Sequence, residues 1–151
     1  GSRPVGPLGG GAGIPLVEGL GACFHVGTIS DLDGFEPDIL MECTGVPTVI
    51  SDVLGATAPA GIVCLLGVTE PGHKRELDIG ELNRTLVLDN DSIFGAVNAN
   101  RVHYAMAVDA LGHADKGWLS RLITRRVPLE RWSEALERRP GDIKVVIDFA
   151  H

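Results

Sequence analysis

The residues best suited to chemistry lie in Ala96-Val97-Asn98-Ala99-Asn100. A carboxamide can both donate and accept hydrogen bonds, so this turn suits recognition of amides and hydroxyls. Asn98 is read as functional because Asn has little strand propensity. It nevertheless follows the short apolar run Ile93, Phe94, Ala96 and Val97, and a helix is expected to begin near Arg101. Two similar strand ends occur upstream, Glu42-Cys43-Thr44-Gly45 and Leu65-Leu66-Gly67-Val68. Strand-to-helix turns of this kind are where open α/β sheets bind small polar ligands. The chemistry on offer is binding and orientation.

Other reactive residue types fit bland roles. Cys23, Cys43 and Cys64 show no C-x-x-C spacing. Cys43 and Cys64 fall on apolar runs and read as small buried hydrophobes. No His pairs with a Ser or Cys in a nucleophile setting, and His103, near a helix start, reads as a structural hydrogen-bonding group. Trp118 and Trp132 are expected to pack, and Arg125-Arg126 and Arg138-Arg139 to be solvated. Gly9-Gly10-Gly11-Ala12-Gly13 has the composition of a phosphate loop, but no G-x-G-x-x-G register fits it and no apolar strand precedes it. No metal site is expected in the chain.

Positioning these turns requires alternating strands and helices. Ile39–Cys43 and Ile62–Leu66 are nearly continuous apolar runs, as in parallel strands covered on both faces. Between them, Pro47 marks a helix start, and Val49, Ile50, Val53, Leu54 and Ala58 supply a buried stripe. Strands so spaced imply right-handed βαβ units. A short helix around Leu16–Leu20 precedes a strand at 23–26. Downstream, Arg101–Gly112 reads as a helix, Leu129–Arg139 as an amphipathic helix, and 143–149 as a last strand. The fold class expected is α/β, an incomplete doubly wound parallel sheet with a C-terminal helix–strand segment. Residues 1–15, with six Gly and three Pro, read as a linker. Residues 16–112 read as a partial dinucleotide-binding domain and 113–151 as the C-terminal segment.

Composition narrows the class of partner. At 151 residues and 44% apolar content, the chain can bury a real core. A net charge of −7 disfavours nucleic acid and anionic membranes. No apolar run is long enough for a membrane span, no secretory leader is seen, and three Cys suit a reducing cytoplasm.

The ordered segments E-C-T-G-V-P, G-I-V-C-L-L-G-V, S-I-F-G-A-V-N-A-N-R-V-H-Y, R-R-V-P-L-E-R-W-S-E-A-L and I-K-V-V-I-D-F resemble the medium-chain, zinc-dependent dehydrogenases. Within them the chain is most similar to the microbial glucose 1-dehydrogenases, through Gly95, Val97, Asn98, His103 and Tyr104. The resemblance implies a Rossmann-type sheet of which the chain holds strands three to six and lacks one and two. It implies NAD or NADP as cofactor, with binding by this chain alone weak or absent. Thr44 and Gly45 would lie against the adenosine half, and Gly67 and Val68 against the nicotinamide. Val97 and Asn98 would contact the nicotinamide, and Asn98 would also reach the sugar substrate. Zinc would belong to an N-terminal domain, so neither metal ligands nor catalytic residues are expected here.

The parent reaction would be hydride transfer from a sugar's anomeric carbon, with a homo-oligomer as the expected assembly. A bare edge along Ile39–Glu42 is expected to be filled by a second copy, a swapped segment or the strand at 143–149. The alternative function is a stand-alone, non-catalytic nucleotide-binding or assembly module.

Overall fold

The computed structural model describes residues 13–149. The expected linker therefore lies almost wholly outside the described residues. Two compact units emerge, one of residues 26–98, the other of 13–25 together with 99–149. The chain runs through α1 (Ile14–Glu18), β1 (Ile39–Glu42), α2 (Pro47–Val53), β2 (Ile62–Leu65), α3 (Ile79–Asp89) and β3 (Ser92–Gly95). Then follow α4 (Arg101–His113), α5 (Lys116–Leu122), β4 (Ile123–Pro128) and β5 (Lys144–Asp148). Short 3-10 segments occupy Ile29–Asp31 and Leu129–Leu136.

In the first unit, β1, β2 and β3 form a parallel sheet in that order. Leu40 is level with Val63 and Ile93, and Met41 with Cys64 and Phe94. Val63, Cys64 and Val53 are buried, and so is the carboxylate-bearing Glu42. Pro47 starts α2, and Gly55, at φ +81°, follows its end. Helix α3 was not anticipated from sequence. It is capped by Asp78, whose Oδ1 accepts the Glu81 N–H at 2.9 Å, and by left-handed Asn90.

The second unit holds β4 and β5 as a two-stranded parallel sheet. Trp118 donates its indole N–H to the Leu16 carbonyl at 2.8 Å, tying α1 to α5. Asn100 and His103 form a reciprocal cap at the start of α4. The Asn100 Oδ1 accepts the His103 N–H at 3.0 Å, and His103 Nδ1 accepts the Asn100 N–H at 3.3 Å. His103 thus has the structural hydrogen bond its position implied.

Several expectations need correction. Residues 23–26 form no strand, since only His25 makes an isolated bridge. The segment at Leu129–Leu136 is 3-10 rather than α-helical, with a kink at Arg131. At its C-terminal end Arg125 donates to the carbonyl of Glu134 and, one residue past the segment, to that of Glu137 (2.7 Å each). Arg125 is therefore no solvated cation: its side chain is 15% exposed and pairs with Asp142 at 2.7 Å. Trp132 is exposed rather than packed, and so is Cys43, which lies one residue past the end of β1. The apolar positions of α4 are exposed along its whole length. Strand β5 pairs with β4, so it does not fill the edge of β1, whose sole partner among the described residues is β2.

Candidate functional site: the C-terminal edge of the three-stranded sheet

The three strands are parallel, so their C-terminal ends share one edge of the sheet. That edge carries, side by side, the turns at 43–46, 66–69 and 96–98. Register extends past the strands: Leu66 and Gly67 donate N–H to the Glu42 carbonyl at 2.7 and 3.0 Å. Ala96 donates to the Leu65 carbonyl at 3.1 Å. All six predicted binding residues, Thr44, Gly45, Gly67, Val68, Val97 and Asn98, stand on this edge.

Their environments differ. Gly45 adopts φ +66°, a left-handed conformation that a side chain disfavours. A Cβ added there would lie 2.5 Å from the Val68 carbonyl oxygen. A Cβ on Gly67 would overlap the Gly45 amide nitrogen and approach Glu42 Oε2 to 2.7 Å. These two turns touch backbone to backbone, and the Thr69 hydroxyl donates to the Gly45 carbonyl across the same seam. Sequence reasoning placed Gly67 where a main chain meets a ligand ring. Here its missing side chain is needed first for the neighbouring turn. Val68 and Val97 are 83% and 81% exposed, and Asn98 is exposed as well, so these side chains are open to a ligand.

Glu42 went unassigned in the sequence reading. It is 2% exposed, and its Oε1 accepts the Thr44 N–H at 2.7 Å, the Thr44 hydroxyl at 2.5 Å and the Gly45 N–H at 3.0 Å. Oε2 accepts the Gly45 N–H again at 3.2 Å. Buried charge is tolerated where hydrogen bonds replace water, as they do here. Both donors of Thr44 are therefore committed to Glu42, while its hydroxyl oxygen accepts the Val46 N–H at 3.0 Å. The sequence signal was an acidic residue closing an apolar strand, two positions before Thr and three before Gly.

A cleft of 320 Å³ opens between α2 and the loop 69–77, lined by Pro47, Ile50, Leu54, Thr69, His73 and Leu77 among others. Among the described residues no three His, Cys, Asp or Glu side chains come together as a metal site. No helix among them is long and apolar enough to cross a membrane.

Known proteins share this arrangement. A family model described as "Glucose dehydrogenase C-terminus" matches residues 10–149. "Glucose 1-dehydrogenase 2" of Vulcanisaeta moutnovskia is 38% identical over 137 residues, covering 89% of this chain and 39% of that protein. "Glucose 1-dehydrogenase" of Thermoproteus tenax is 38% identical over 135 residues, covering 87% and 38%. The Haloferax mediterranei glucose dehydrogenase solved in complex with NADP, Zn and gluconolactone superposes with a TM-score of 0.87 at 28% identity, over 99% of this chain and 43% of that one. The chain thus spans about two-fifths of the length of the relatives it matches. With a family match across all the described residues, on a parallel sheet of the dehydrogenase kind, the chain belongs to the glucose dehydrogenase C-terminal family.

Proposed function

We propose that this chain supplies the dinucleotide-facing edge of an NAD(P)-dependent sugar dehydrogenase, with glucose as substrate. The observation that carries this reading is the single edge on which three parallel strands present turns to one side. Thr44 and Gly45 would lie against the adenosine half of the dinucleotide by van der Waals contact, because both of their backbone N–H groups and the Thr44 hydroxyl are committed to Glu42. Gly67 and Val68 would lie against the nicotinamide, where the Val68 side chain is free to contact the ring. Val97 and Asn98 would reach the nicotinamide, and the Asn98 carboxamide the sugar hydroxyls. When bound, the dinucleotide accepts the hydride that leaves the sugar. The residues of this edge bind and orient. The described residues offer zinc no ligand set, so no step at a metal is assigned to them. A cytoplasmic homo-oligomer completes the proposal, since β1 and β3 each have an outer edge with no strand partner among the described residues.

Titration of the chain with NADP, NAD and AMP, followed through its amide resonances, tests the reading. Perturbation is expected at 44–46, 66–69 and 96–98 with dissociation constants above about 100 μM. Binding is expected to be weak because the sequence holds no G-x-G-x-x-G turn to grip the pyrophosphate. Saturating millimolar dinucleotide that leaves all three turns unmoved would overturn it. The sequence encoded upstream of residue 3 separates the alternatives. A continuous frame with a Cys/His/Glu-rich domain and G-x-G-x-x-G is expected, and a start codon there would favour a non-catalytic module.

A further inference from the structure

We propose that Glu42 is the positioning residue of this edge, a buried carboxylate that locks the turn after β1 against the turn after β2. The inference rests on the functional reading above for its consequence in ligand binding, and on geometry alone for the lock itself. Glu42 acts through both ends of the residue. Its carbonyl oxygen receives the N–H groups of Leu66 and Gly67 from the second turn. Its carboxylate receives two backbone N–H groups and one hydroxyl from the first turn, at Thr44 and Gly45. One buried residue therefore holds the last turn of two adjacent strands, and Gly67 lies over its Oε2 with no room for a Cβ.

The donors are all neutral, and no Lys or Arg forms an ion pair with Glu42 among the described residues. A carboxylate is suited to the task because both oxygens accept and neither donates. A carboxamide in its place would keep one accepting oxygen and point an NH₂ group at the Gly45 N–H. Donor would then face donor. The turn would loosen while the strands below it kept their ladder.

The experiment compares amide hydrogen exchange in the full chain for wild type, Glu42→Gln, Glu42→Asp and Thr44→Val. Exchange at Gly45 is expected to accelerate about tenfold in Glu42→Gln, which turns a donor toward it in place of Oε2 and removes the charge, and exchange at Thr44 by less, because its Oε1 acceptor survives without the charge. Gly67 and Val68 should exchange faster as well, while Val63–Leu65 within β2 stay protected. Thr44→Val removes the shortest of the bonds without touching the carboxylate, and should give the same pattern more mildly. It also serves if a Glu42 variant fails to fold. Glu42→Asp keeps the charge and should recover part of the protection if its shorter arm still reaches Gly45. Unchanged exchange at 44–45 in Glu42→Gln and in Thr44→Val would overturn the lock. So would an equal acceleration throughout β2, which would make Glu42 an ordinary core residue. An NADP titration of each variant separates the two readings. If NADP moves neither turn in wild type while the exchange pattern holds, the lock stands and the cofactor assignment fails. If NADP binds the wild type and the Gln variant alike despite a loosened turn, Glu42 loses its positioning role.

Discussion

Each of the two compact units is organised by one charged side chain, and the two charges are opposite. In residues 26–98 the anion Glu42 collects neutral donors from residues two and three positions away. In the other unit the cation Arg125 gathers partners nine to seventeen positions away: the carbonyls of Glu134 and Glu137, and both oxygens of Asp142. Glu42 stiffens a turn that is almost closed by its own chain, so little further ordering entropy is lost. Arg125 closes a loop, and its planar fork suits several oxygens at once. The first device leaves the neighbouring side chains Val68, Val97 and Asn98 open to solvent. The second turns its guanidinium inward and closes the 3-10 segment against β4 and β5. One joins two neighbouring turns, and the other seals a fold.

The largest effect on stability should come from Gly67→Ala. The new Cβ would overlap the Gly45 nitrogen, and the nearest atoms are mostly backbone that cannot rotate away. Overpacking of that kind costs about 3 kcal/mol, read as a lower midpoint in urea unfolding with unchanged slope. A loss under about 0.5 kcal/mol would mean that the two turns are not in contact as described.

Next comes Arg125→Ala, which takes a donor from two carbonyls and from Asp142, leaving Asp142 only the Arg139 N–H and the Glu134 carbonyl only the Glu137 N–H. Its urea midpoint should fall well below that of Arg126→Ala, whose guanidinium is 62% exposed and 3.9 Å from Asp148. Equal midpoints would remove Arg125 from its central place in the comparison.

Acid should weaken the contact that Arg125 makes. The hydrogen bond from Arg125 holds the Asp142 carboxyl below its ordinary value, reinforced by the Arg139 N–H. A folded-state value below the unfolded one means stabilisation that is complete above the unfolded value, and that is lost as pH falls through the folded one. Chemical unfolding followed from about pH 6 to pH 2 should show this loss, and Asp142→Asn should flatten it. An unaltered acid limb in Asp142→Asn would break the assignment.

The smallest effect on folding is expected for Asn98→Ala, within about 0.5 kcal/mol, because the side chain is exposed. Its effect on ligand binding should be larger, about 1–3 kcal/mol for a lost hydrogen bond. A stability loss that exceeds the binding loss would make Asn98 a turn residue.

Much of this molecule was legible in the order of its residues. The apolar runs at Ile39–Glu42 and Ile62–Leu65, the Pro47 helix start and the last strand at Lys144–Asp148 stand where pattern placed them. They are local signals, carried by nearly continuous apolar composition and by the fixed φ of proline, although Ile39 and Met41 of β1 are exposed rather than covered on both faces as expected. The six turn residues were placed on one edge by resemblance, and parallel topology puts them there. Other features depend on partners that sequence does not reveal. Whether Arg125 lies in solvent or under a loop is decided by Asp142, Glu134 and Glu137, which only folding brings near. The segment Leu129–Leu136, whose residues carry a helical pattern, winds as 3-10 and ends in the same contacts. Glu42 lies between these cases. Its partners are adjacent in sequence, but only the pairing of β1 with β2 buries the carboxylate, and only the approach of Gly67 gives the lock a second turn to hold.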